Sequence, residues 1–84
     1  RPERVDSIRF IVRNDDNGVR KGNLYELFHM SDGRWVSSGR QTATEDDRIV
    51  FGNVPVGALY WLRNLTRGRE ERIFTYVDGK QVWW

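Results

Sequence analysis

The 84-residue sequence contains no cysteine, one histidine, one methionine and two prolines. Without cysteine there is no disulfide framework, no thiolate metal site and no thiol nucleophile. A serine nucleophile would have to be Ser7, Ser31, Ser37 or Ser38, with His29 as its base. None of these serines sits in a G-x-S-x-G setting. His29 falls within an alternating run beside Tyr25 and Leu27, where a surface or half-buried strand residue is expected. No catalytic residue is therefore expected, and the chain reads as a non-enzyme. No apolar run approaches the ~18 residues of a membrane-spanning helix. Charge of one sign is also lacking: 14 Lys and Arg face 12 Asp and Glu, for a net +2, so nucleic acid is not an expected partner.

Carboxylates cluster only in turn-like segments, Asp15-Asp16 and Glu45-Asp46-Asp47. A general acid needs an apolar pocket to raise its pKa, which a solvated turn does not supply. The spacing does not match a calcium-binding loop either. The expectation is no metal and no cofactor.

What the chain does have is short alternating runs separated by turn residues. The stretch from Arg48 to Leu65, RIVFGNVPVGALYWLRNL, carries the densest apolar content. Ile49 and Phe51 alternate in a first strand, and Asn53, Pro55 and Gly57 then punctuate. ALYWLRNL follows, a run expected as a central strand covered on both faces, with Trp61 in the core. Earlier, residues 6–13 place Ile8, Phe10 and Val12 on one face of a strand. NDDNG at 14–18 is a strong turn signal. Residues 23–30 set Leu24, Phe28 and Met30 against Tyr25, Leu27 and His29. Ser31-Asp32-Gly33 turns into residues 34–41, with a bulge expected at Gly39. Residues 71–77 and 80–84 form a last hairpin across Asp78-Gly79.

Residues 1–5 read as a linker and 6–84 as one domain, and a start at Arg1 is expected for a piece of a longer chain. Seven short strands at near ten-residue spacing predict an all-β fold, a seven-stranded antiparallel β-sandwich, with a small β-barrel as the alternative.

Eleven aromatic residues, four of them tryptophan, dominate the large side chains. Adjacent strand residues face opposite ways, so one of Trp83 and Trp84 is expected to point outward. Trp35, Trp83, Trp84 and Tyr25 are the candidates for a ligand or docking platform, because an indole stacks with its face and donates with its edge. Arg67, Arg69 and Arg72 crowd one turn with Arg63. Glu70 and Glu71 lie among them, which predicts cross-strand pairs or a docking surface rather than a nucleic-acid patch. Asn64-Leu65-Thr66 is a formal N-glycosylation sequon, of consequence only in a secreted eukaryotic protein.

The segments LYELF, DGRW, FGNVPVGALYWLRNLTRGREERIF and GKQVWW together resemble the C-terminal β-sandwich module of large secreted Bacteroidetes proteins that carry a transglutaminase-like domain upstream. Phe51, Asn53, Val54, Pro55, Gly57 and Tyr60 are more loosely similar to carboxypeptidase-regulatory or prealbumin-like sandwiches. Either resemblance implies an immunoglobulin-like or prealbumin-like module without an active site. It further implies a secreted, periplasmic or cell-surface bacterial location. The expected function is a non-catalytic accessory domain, monomeric when isolated, that packs on or orients a neighbouring domain. A carbohydrate-binding module is the alternative, and a small nucleic-acid-binding barrel a third.

Overall fold

A computed structural model describes residues 4–5, 8–9, 19–68, 71–78 and 80–83. The described residues are all β, without a helix: β1 Arg4–Val5, β2 Ile8–Arg9, β3 Leu24–Ser31, β4 Arg34–Thr42, β5 Val50–Phe51, β6 Val54–Pro55, β7 Tyr60–Asn64, β8 Glu71–Val77 and β9 Lys80–Trp83. Five strands form one antiparallel sheet in the order β4-β3-β7-β8-β9. The sheet is open, with β4 and β9 at its edges. β7 lies at its centre, as the apolar run in the sequence predicts, but it is not covered on both faces, since Trp61 and Arg63 alternate with the buried Tyr60, Leu62 and Asn64 and keep solvent contact.

Local chemistry explains the breaks. Asp32 and Gly33 take φ of 51° and 77°, the left-handed pair that a two-residue hairpin turn requires. Asp78 does the same at φ 51° between β8 and β9; Gly79 and the 14–18 turn lie outside the described residues. Gly39, at φ 120°, sits where the β3–β4 register slips: Leu27 pairs with Gly39 but Phe28 pairs with Ser37, leaving Ser38 as the extra residue of a bulge.

The remaining strands pair in a second place. Arg4 pairs with Pro55, Val5 with Val54, Ile8 with Phe51 and Arg9 with Val50. All four pairs share one antiparallel register, in two separate two-residue ladders. Between β5 and β6, Asn53 takes a φ of 59° and leaves extended geometry. Arg4 and Val5, in the stretch expected as a linker, belong to one of these ladders.

One face of the sheet and the β5–β6 segment share a core. Tyr25 and Leu27 of β3, Tyr60 and Leu62 of β7 and Phe74 of β8 join Ile49, Phe51 and Val54 in one buried cluster. Tyr60 and Phe74 stack at 5.4 Å between centroids, and Tyr76 meets both edge-on. Side chains of this size each contribute about 1.5–3 kcal/mol when buried. Trp61, expected in the core, is not in it. Strand alternation puts it on the opposite face of β7 from Tyr60 and Leu62, where it is half-buried.

Buried Asn64 closes β7. Its Oδ1 accepts from the backbone N–H of Thr66 and of Arg67, both at 2.9 Å, and its Nδ2 donates to the Tyr25 hydroxyl at 3.3 Å. Thr66 Oγ1 accepts from Leu24 N–H at 2.9 Å. The sequon is thus a strand-ending turn whose amide is engaged inside the protein.

Replacing Asn64 with alanine strands these donors and should lower stability by about 2–4 kcal/mol, read from urea unfolding. A second expectation concerns pH. Burial raises the Tyr60 hydroxyl above its ordinary pKa of 10.0, and that hydroxyl donates to the Pro55 carbonyl. Above pH 10 the unfolded chain loses this proton first, so the unfolded state binds fewer protons than the native state and stability declines. Alkaline unfolding should be shifted to higher pH in Tyr60→Phe than its loss of stability at neutral pH alone would predict.

Candidate functional site

The face of the sheet turned away from the core is built in cross-strand rows. Register sets Glu26 of β3 directly opposite both Arg40 of β4 and Arg63 of β7, and Arg63 opposite Glu71 of β8. Four neighbouring strands therefore carry a row of alternating sign, Arg40–Glu26–Arg63–Glu71. Arg40 Nε lies 3.4 Å from Glu26 Oε1, and Arg63 Nε 3.9 Å from Glu71 Oε2. Glu26 is the buried member, and a buried carboxylate must be paired. Besides Arg40, the Ser37 hydroxyl donates to its Oε2 at 2.7 Å.

Two residues further along each strand the row turns apolar: Phe28 opposite Trp61, and Trp61 opposite Ile73, with Met30 opposite Trp35 beyond. Phe28 and Trp61 approach to 4.9 Å between centroids, and Trp35 and Trp61 to 5.5 Å. Val82 of β9, 42% exposed, extends the apolar surface toward the far edge. The rows are tied together at Trp61. The Arg63 guanidinium sits 4.9 Å above its ring, and its Nε1–H donates to Glu71 Oε1 at 2.8 Å. This indole packs by one contact set and hydrogen-bonds by another, so both rows hold it in one orientation.

Of the residues singled out from sequence, Trp35 stands on this face. Tyr25 does not, being 3% exposed in the core with its hydroxyl accepting from Arg20 N–H at 2.9 Å. Its ring offers no face to a ligand. Arg67 is exposed on the turn after β7, and Arg72 is half-buried opposite Leu62, on the other side of the sheet from Trp35. Trp83 ends β9 opposite Phe74; Arg69 and Trp84 lie outside the described residues. The pairing expected among the crowded charges is present as Arg63 with Glu71.

Phe28, Trp61, Glu26 and Arg40 are site residues that sequence reasoning does not single out. Reading residues 58–65 as one apolar run hides the period of two within Tyr60–Asn64, which alone sets Trp61 and Arg63 on a common face. The structure also brings together one pair that the sequence motifs argue against. His29 Nδ1 and Ser38 Oγ are 2.6 Å apart. No carboxylate among the described residues orients the other ring nitrogen, and the contact ties the bulge to β3.

Because Trp61 is half-buried and outside the core, Trp61→Ala should cost about 1–2 kcal/mol while Phe74→Ala costs about 3–5 kcal/mol. Urea unfolding of the two variants checks the order; equal losses would place Trp61 in the core after all. Compared with family models, with curated proteins and with solved structures, the chain matches none.

Proposed function

We propose that this chain is a non-catalytic accessory module that works by docking, with the outer face of its five-stranded sheet buried against another protein surface. The observation that carries this is the half-buried apolar patch on the side of the sheet opposite the core, where Phe28, Trp61 and Ile73 form one cross-strand row and Met30 and Trp35 the next. Large apolar surfaces rimmed by polar groups mark interaction sites. A protein partner suits it better than a sugar. A glycan platform needs an open ring face, whereas Trp61 is already flanked by Phe28, Trp35 and Arg63. Methionine and isoleucine beside the rings add aliphatic surface, which packs against protein side chains. The charges pair with one another rather than forming the basic stripe that nucleic acid needs.

The module on this reading is a β-sandwich of the immunoglobulin-like or prealbumin-like kind. The pairings of β1 with β6 and of β2 with β5 form its second layer, a reading supported by the core that Phe51 and Val54 share with Leu27, Tyr60 and Phe74. Its setting is a larger secreted or surface-attached bacterial protein with a transglutaminase-like domain upstream.

Hydroxyl-radical footprinting tests the docking surface directly. Oxidation of Met30, Trp35 and Trp61 should fall when the dilute chain is compared with the same segment in a longer parent or at high concentration. Unchanged oxidation throughout would contradict the reading. A saturable shift of the Trp35 or Trp61 indole N–H signal by a soluble polysaccharide would replace it with a carbohydrate-binding one.

A further inference from the structure

Resting on the reading of this face as a docking surface, we propose that the partner it fits is a second copy of the same chain. The argument is the order of charges. From β4 to β8 the row runs plus, minus, plus, minus: Arg40, Glu26, Arg63, Glu71. A two-fold axis parallel to the strands, between β3 and β7, turns such a row end for end. Arg40 then faces Glu71 of the second copy, and Glu26 faces Arg63 of the second copy. Every opposition is of opposite sign, and symmetry makes each one twice. A row reading plus, minus, minus, plus would have set like charge on like.

The apolar row obeys the same operation. Phe28 and Trp61 are neighbours on β3 and β7, so the axis lays Phe28 of each copy on Trp61 of the other. Both rows are satisfied by one placement, with strands of the two sheets within about 30° of parallel, as packed sheets are. The central oppositions then lie closest to the axis and the Arg40–Glu71 ones further out, within reach of a long arginine.

Size sets the strength. β9 falls outside the overlap, leaving four strands. At about 4.8 Å per strand and about 7 Å per row, three rows span roughly 400 Å² on each copy. That is half the ~800 Å² per partner of a standard interface, in the range of weak and transient complexes. The dimer departs from the monomer expected from sequence, and it forms at high concentration.

The exposed ends of the row give the cleanest test, because Arg40 and Glu71 side chains are 63% and 37% exposed while that of Glu26 is 12% exposed. Sedimentation equilibrium is run from about 10 μM to about 1 mM, where a weak interface titrates. The unsubstituted chain should dimerise. Arg40→Glu and Glu71→Arg should each weaken self-association by about tenfold or more, since each sets like charges together twice. An equimolar mixture of the two variants should regain it, because the introduced acid of one copy then meets the introduced base of the other, while the retained Arg40 meets the retained Glu71. A monomer at all concentrations overturns the proposal, as does a dimer that neither substitution weakens or a mixture that fails to recover. An isotope-filtered NOE experiment on mixed labelled and unlabelled chain needs no substitution: Phe28–Trp61 contacts between copies support the dimer, and their absence at millimolar concentration overturns it. If the chain stays monomeric while footprinting still finds Trp61 protected in a longer parent, the self-partner fails and the docking surface stands.

Discussion

Alternation along β7 is the constraint on which the rest of the molecule depends. Tyr60, Leu62 and Asn64 point one way and Trp61 and Arg63 the other, and β7 is hydrogen-bonded on both sides. A slip of one residue would send Trp61 and Arg63 into the core and expose Tyr60 and Leu62. Register is therefore fixed from both faces at once. On the inner face Tyr60 meets Phe74 in the core; on the outer face Trp61 meets Phe28 and Arg63 joins the charge row.

The two faces have different energetic roles. The inner face removes the largest side chains from water and accounts for stability, since area buried is the dominant favourable term in folding. The outer face contributes less. Partly exposed ion pairs are worth little individually, and its rings keep solvent contact. What the outer face has instead is order: one carboxylate held by a hydroxyl and a guanidinium, one indole held by a carboxylate, a guanidinium and two rings. Side chains already fixed in place lose little conformational freedom when a partner arrives. An apolar row with pre-set neighbours is thus suited to recognition, although it adds less to folding.

Much of the fold is legible in the sequence because turns and alternation are local. Asp32-Gly33, Gly39 and Asn53 mark the breaks they were expected to mark, each through backbone that left-handed geometry demands. The two sides of β3 are also readable, Tyr25 and Leu27 on one and Phe28 and Met30 on the other, but which side is buried is not, since Tyr25 reads as a platform residue and lies in the core. The candidate site is less legible, for two physical reasons. Cross-strand rows are long-range: Glu26, Arg40, Arg63 and Glu71 are scattered through the sequence, and only strand order brings them side by side. Tyr25 shows the second reason. A tyrosine in an alternating strand reads equally as platform or core, and its hydroxyl contacts with Arg20 and Asn64 decide the matter in space. The pairing of Arg4 and Val5 with Pro55 and Val54 is likewise too brief to be distinguished from a linker by pattern alone.

The facing of Trp61 is best tested by NOEs from its ring protons in the dilute chain. Contacts to Phe28, Trp35 and the Arg63 side chain, with none to Phe74, would establish the two-faced central strand and the row built on it. Contacts from Trp61 to Phe74 or Tyr60 rings instead would mean a register slipped by one residue, with the aromatic row dissolved into the core and no docking face left to explain.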